Sequence, residues 1–257
     1  MTLKKLVPFI AVFVVALIFG GTHAFAEDNK SNPINLLTDK QKVEFKEDIK
    51  KIENSADNKK TLNDEQKKEL AQDLINIEKV KNKGVDKEQV SKTLPVIKKA
   101  DPEKYNNISA ELSAKSASVK GRMGTNGDVL VTYDNKFIVW RHGHAAIVLH
   151  DNNKIVEAWP DEGVRVAKNN WGDRFSSHKK FYILHAGAQR YTAAQSYAYS
   201  KRRKPYSLLV SKGDKSAYYC SQLVWQSWRP QRFNLDSNGG FFVTPADLEN
   251  DSQTVQY

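Results

Sequence analysis

The 257-residue chain contains one cysteine, Cys220, in the run Tyr218-Tyr219-Cys220-Ser221-Gln222-Leu223-Val224-Trp225. Leu223, Val224 and Trp228 recur at helical spacing, so the run reads as the first turns of an amphipathic helix. A thiol at a helix N-terminus faces unpaired N–H groups and the positive end of the helix dipole, and both favour thiolate. Thiolate is the nucleophilic form. The ordinary alternative is a small buried core residue. Three further features weigh against it: signs of export, the lack of a second cysteine, and a histidine in a suitable place upstream.

A cysteine nucleophile needs a base within hydrogen-bond reach, and the base needs a group that orients it. Candidate bases lie in Arg141-His142-Gly143-His144-Ala145-Ala146-Ile147-Val148. The small residues after His144 let a helix or a substrate approach a strand closely. His142 and His144 share a strand face if the strand extends that far; Gly143 fits an irregular lead-in equally well. The orienting carboxylate should come from the next strand. One hairpin register sets Glu157 opposite Val148 and Asp161 opposite His144. A register shifted by two sets Glu157 opposite Ala146, diagonal to His144. Spacing alone leaves Glu157 and Asp161 as rivals. A His-x-His pair with a carboxylate is also a metal-ligand pattern, an alternative from another class; the reading preferred here uses no metal and no cofactor.

The elements that must position these residues occupy the second half of the chain. All five Trp, and every His except His23, lie beyond position 139. Short β runs divided by Gly, Asn and Asp predict strands at 129–133, 145–149, 155–159, 164–167 and 181–184, with a turn at 151–154. A helix is predicted at 192–201, then the Cys220 helix, then a final turn at 244–248. Residues 119–257 therefore read as an α+β domain of common size.

The preceding segment, 27–118, reads as all-α. Thr38-Asp39-Lys40-Gln41 fits a capping box ahead of Phe45, Ile49 and Ile52. Asn63 opens a second helix carrying Leu70, Leu74 and Ile77, Asp86 a third carrying Val90, Leu94 and Ile97, and Asp101-Pro102 a fourth carrying Tyr105, Ile108 and Leu112. Pro95 is expected to break or kink the third. The segment contains no His, Cys or Trp, so it reads as a targeting module, a pro-segment or a spacer; 113–120 reads as a linker.

Residues 1–26 have the pattern of a secretory signal peptide. Lys4 and Lys5 precede an apolar run too short for a comfortable membrane span, followed by Ala24-Phe25-Ala26. Export, with no transmembrane anchor after cleavage, is the expectation. An unpaired cysteine in an exported protein suggests a reactive thiol. Net charge is +10, and +8 without Lys4 and Lys5. Such a surface suits association with anionic wall polymers; no stacking or helix-turn-helix pattern supports nucleic acid.

Taken in order, Gly127-Asp128-Val129-Leu130, His144-Ala-Ala-Ile-Val, Val156-Glu157-Ala158 and Tyr219-Cys220-Ser221-Gln222-Leu223-Val224-Trp225 resemble the YiiX/YycO-like permuted papain-fold amidases of the NlpC-type cysteine hydrolase superfamily. The resemblance covers residues 127 to the C-terminus and not the helical segment. It implies a circularly permuted papain-like domain whose antiparallel sheet packs on the Cys-bearing helix, with His ahead of Cys in the chain. It also implies Cys220 as nucleophile, His144 as base and Glu157 as orienting residue, with acyl transfer as the reaction. Gln222 departs from the Glu expected in many relatives, and the hairpin loop is about a residue longer.

Superfamily resemblance, export and charge point to amide bonds of cell-wall peptidoglycan. A lipid-directed acyl hydrolase or acyltransferase uses the same chemistry, and a non-catalytic wall-binding protein is the alternative from another class. Trp140, Trp159, Trp171, Trp225 and Trp228 are cleft candidates or core. Tyr206, Arg165 and Asp128 are taken as structural.

Overall fold

The computed structural model describes residues 32–54, 60–113, 121–134 and 141–257. The leader, most of the linker at 113–120, and Trp140 lie outside them.

Alternating apolar residues in the second half build a sheet buried on both faces. Its strands are β1 (Val129–Thr132), β2 (His144–Val148), β3 (Lys154–Trp159), β4 (Gly163–Lys168), β5 (Lys179–Ile183) and β6 (Thr254–Gln256). All neighbours are antiparallel, in the order β4-β3-β2-β1-β5-β6. Successive side chains point to opposite faces. Val129, Val131, Ala145, Ile147 and Val156 enter one core cluster. Leu130, Ala146, Val148 and Ile155 enter another, against Trp171 and Phe175.

The helices are α1 (Pro33–Leu36), α2 (Asp39–Asn54), α3 (Asp64–Val80), α4 (Lys87–Ala100), α5 (Pro102–Ser113), α6 (Trp171–Arg174), α7 (Ala188–Ser200), α8 (Cys220–Trp228) and α9 (Pro245–Asn250). Their starts follow local capping. Asn63 and Gln66 make a reciprocal box, Asp86 accepts from Gln89 N–H at 2.9 Å, and Asp101 accepts from Lys104 N–H at 2.9 Å. Helix α4 continues through Pro95. Helix α7 begins at Ala188, four residues before the expected Thr192, because Gly187 C=O takes the first bonds and Tyr191 hydrogen-bonds Ile183. Helices α1 and α6 and strand β6 are additions to the sequence-based expectation.

Residues 32–257 form one compact unit. Ile77 and Val80 of α3 share a cluster with Leu223, Val224 and Trp228 of α8 and with the sheet. Phe45, Ile49 and Leu70 pack with Leu208, Tyr219 and Phe242. Val90, Ile97 and Ile108 pack with Tyr182, Val255 and Tyr257. Polar links reinforce this. Lys179 Nζ donates to Val80 C=O and to Glu249, both at 2.5 Å. Arg141 pairs with Glu44, Glu47 and Asp48 of α2.

The deepest link is Lys104 of α5, whose Nζ lies 2.5 Å from Asp128 Oδ1 and also donates to Thr125 Oγ1 and Asn126 C=O. Both side chains are buried. Burial pulls the Lys104 pKa down, against the opposing charge of Asp128. Breaking such a pair strands one buried charge, at a cost of about 3–5 kcal/mol. Lys104→Met is therefore expected to lower unfolding stability by about that amount in urea titrations. A loss under about 1 kcal/mol would show that α5 is not integral to the fold.

Candidate active site

Cys220 is the first residue of α8 and is 2 % exposed. The residues on either side of it are clamped to one backbone position. Tyr219 Oη accepts from Val243 N–H at 3.1 Å, and Ser221 Oγ donates to Val243 C=O at 2.6 Å. The first intrahelical bond runs from Leu223 N–H to Tyr219 C=O, so Cys220 N–H precedes the helical ladder.

His144 opens β2 directly after Gly143. That glycine has φ +96°, and a Cβ there would lie 2.4 Å from Thr132 O, so only glycine fits. Strands β2 and β3 pair at Ile147↔Val156 and Val148↔Ile155. Extending that register sets Glu157 opposite Ala146 and diagonal to His144, which is the shifted alternative. The ladder stops there. Ala145, whose N–H faces β3 by alternation, donates instead to the Cys220 side chain. The thiol sits where the two strands part.

His144 Nε2 lies 2.8 Å from Glu157 Oε2. The ring also hydrogen-bonds Cys220, and with Nε2 engaged by Glu157 the nitrogen left for that bond is Nδ1. Trp171 stacks on the ring at 5.5 Å and Trp159 meets it edge-on at 5.2 Å. Glu157 is fully buried and carries two further partners. Arg165 Nε and Nη2 grip Oε1 at 2.9 and 2.7 Å, and Arg174 Nη2 reaches Oε2 at 3.1 Å. Both guanidinium groups lie over Trp159.

These contacts set the ionisation. Burial alone would raise the Glu157 carboxyl, but His144 and Arg174 outweigh it and hold it at about 2. Burial alone would lower the His144 imidazole; bonds to Cys220 and then Glu157 raise it to about 9. Burial would raise the Cys220 thiol, yet the His144 bond and charge bring it below its ordinary value. The arrangement suits a thiolate–imidazolium pair. Burial, then the Cys220 charge, raises the Tyr206 hydroxyl and keeps it protonated nearby.

The other candidates separate. Asp161 sits in the exposed β3–β4 turn, away from the carboxylate position that Glu157 occupies. His142 is buried, and burial lowers its pKa to about 3. From the sequence, Arg165 is taken as structural and Arg174 is not named; neither is expected there as a partner of Glu157. Arg165 is the cross-strand partner of Glu157, so the β3–β4 register was the signal that would have found it. Arg174 rides on α6 and left no such signal. Trp159 and Trp171 pack around the base.

Gln222 has a structural account. Its Oε1 accepts from Tyr219 N–H at 3.1 Å, while Nε2 faces the carbonyls of Ser211, Lys212 and Asp214 at 3.0–3.3 Å. An amide accepts on one side and donates on the other, whereas an ionised glutamate could only accept. Gln226, one turn on, donates to two of the same carbonyls.

Residues 126–252, just under half of the chain, match the family described as permuted papain-like amidase enzyme, YaeF/YiiX, C92 family. The chain is 29% identical over 140 residues to the uncharacterised protein YycO of Bacillus subtilis (strain 168), covering 52% of this chain and 56% of that protein. It thus spans about half the length of the curated relative it matches. It is also similar to the crystal structure of metalloprotein YiiX from Escherichia coli O157:H7, over 52% of this chain and 96% of that one, with 12% identity and a TM-score of 0.42.

Alkylation of Cys220 by iodoacetamide is expected to follow a thiol pKa below the ordinary 9.0, and His144→Ala to move it back up. An unchanged profile in the variant would separate the two groups. Stability carries the same signature. The His144 contribution is complete below about pH 6.5 and fades as pH rises through about 9; that of Glu157 is complete above about 4.5 and fades as pH falls through about 2. Melting temperature should therefore fall as pH drops below about 4.5, and Glu157→Gln should flatten that acid side; on the alkaline side the lowered Cys220 thiol has the opposite sign and offsets the fading His144 contribution. Gln222→Glu turns a donor into an acceptor among three carbonyls. It is expected to cost about 1–3 kcal/mol in thermal unfolding.

Proposed function

We propose that the chain is an exported cysteine amidase in which Cys220 is the nucleophile, His144 the general base and acid, and Glu157 the orienting residue. The carrying observation is that one buried imidazole joins Glu157, 2.8 Å from Nε2, to the Cys220 thiol. The thiolate attacks an amide carbonyl, and the C–N bond breaks as His144 gives its proton to the leaving amine. The Cys220 N–H is a suitable donor to the developing oxyanion. Water, deprotonated by His144, then cleaves the thioester to acid and free thiol.

Peptide amides of the bacterial wall are the proposed substrate class. The leader-like N-terminus and the basic balance of the chain support this reading. The same chemistry applied to lipid acyl groups gives a different product, so one experiment separates them.

Purified peptidoglycan and phospholipid vesicles are each incubated with the full chain, and new amino groups and free fatty acids are measured. New amino groups are expected from the wall. Release of fatty acid alone would assign the chemistry to lipids. Cys220→Ala is expected to abolish turnover and Glu157→Gln to lower kcat by about 10²–10⁴-fold, as loss of an orienting carboxylate does in related triads. Asp161→Asn should leave kcat unchanged; equal losses at Asp161 and Glu157 would refute the assignment.

A further inference from the structure

The sheet edge beside this site is open and cationic. Strand β4 is outermost. Val164 N–H donates to Lys204 C=O, and Arg203 N–H donates to Val164 C=O, both at 2.8 Å. The even-numbered residues of β4 therefore turn their backbone groups outward. Val166 is next in that row, and its outward groups have no partner among the described residues. Gly163 permits the docking at Val164: its φ is +68°, and a Cβ there would lie 2.2 Å from Lys204 O.

Residues 201–204 are Lys-Arg-Arg-Lys. The chain then runs through Pro205 and Tyr206, and the Tyr206 hydroxyl lies close enough to Cys220 to feel its charge. Tyr218 N–H donates to Pro205 C=O at 3.0 Å, and Tyr206 bridges Tyr218 in parallel. The basic turn is thus fastened on one side to β4 and on the other to a residue two before Cys220.

A groove follows this edge. It comprises two cavities of about 530 and 540 Å³ that share Val166 and Arg202. The second is also lined by Glu162, Arg165 and Arg203, and Arg165 is the side chain that grips Glu157. Glu162 is taken up by Arg165. Arg202 and Arg203 are exposed and have no carboxylate partner among the described residues. An unpaired strand edge recognises extended main chain, and the guanidinium fork matches carboxylates in pairs.

We infer that the groove between the β4 edge and α7 binds an extended acidic peptide, whose main chain pairs with Val166 and whose carboxylates meet Arg202 and Arg203. The inference deepens the amidase reading and rests on it, because the groove leads the acidic part of a peptide substrate to the wall of the site. A phosphate polymer would satisfy the arginines but leave Val166 unpaired.

The test uses fluorescein-labelled pentaglutamate, with pentaglutamine as the neutral control, in anisotropy titrations of the full chain. Saturable binding of pentaglutamate alone is expected, weakened by salt. The Arg202→Gln/Arg203→Gln double variant should bind at least about tenfold more weakly while its thermal unfolding is unchanged; loss of two charge-assisted contacts gives a change of that order. Bound pentaglutamate should also slow iodoacetamide alkylation of Cys220. Equal binding of the two peptides, an unaltered affinity in the double variant, or binding without protection of Cys220 would overturn the inference. So would inorganic polyphosphate of equal charge binding more tightly at the same arginines. Alkylation without peptide tests the amidase reading separately. An activated thiol with no peptide binding removes the groove alone, whereas an inert thiol with binding intact removes the hydrolase and leaves an acidic-peptide site.

Discussion

Glu157 is a carboxylate with no exposure, and the local structure is arranged to keep it ionised. An unpaired charge at such depth costs several kcal/mol. Three side chains from three elements offset that cost: His144 from β2, Arg165 from β4 and Arg174 from α6. Each partner constrains its element. Arg165 can reach only if β3 and β4 pair as Glu157↔Arg165, which fixes the second hairpin. Arg174 can reach only if the chain after β4 turns into α6, which also brings Trp171 onto the His144 ring. The two arginines draw on the same carboxylate charge as the imidazole. Glu157 consequently holds His144 mainly by direction, while the thiolate supplies the stronger share of its raised pKa.

The site also depends on where a hydrogen-bond ladder ends. Had β2 and β3 stayed paired past Ile147↔Val156, Ala145 N–H would have been spent on β3. The parting of the strands frees that donor for sulfur and makes room for a helix terminus. Helix α8 fills it with Cys220 because its apolar side, Leu223 and Val224, is seated on the other residues of the same strands. Core packing and chemistry therefore share one helix, and Val243 sets its axial position through Tyr219 and Ser221.

Much of this was legible in the sequence because it rests on local rules. The caps at Asn63 and Asp86, the alternating strands around His144 and the helix after Tyr219 each carry their signal within a few residues. Glu157 and Asp161 could not be separated by spacing, since the choice depends on a hairpin register that differs by one step of two residues. The arginines were less visible still. Arg174 sits in a four-residue helix whose position is decided by tertiary contacts, and strand β6 has only three residues to announce it. Gln222 was visible as a departure, but its reason lies in three carbonyls eight to eleven residues upstream.

If Cys220 and His144 act as proposed, their burial sets a condition on turnover. Cys220 and His144 are each 2 % exposed, and a carbonyl carbon must come within bonding reach of sulfur. Some neighbouring chain must therefore yield. Helix α8 and strand β2 are poor candidates, because Leu223, Val224, Ala145 and Ile147 belong to one continuous apolar core whose disruption is costly. Segments held by polar bonds give way more easily, since water replaces those bonds. Two such segments flank the site: the loop whose carbonyls are held by Gln222 and Gln226, and helix α2, gripping Arg141 three residues before His144. The loop carries one apolar anchor of that depth, Leu208, against Phe45, Ile49 and Ile52 of α2. With one such anchor against three, the loop between Tyr206 and Tyr218 is held less by apolar packing than α2 is, and it begins at the end of the cationic turn.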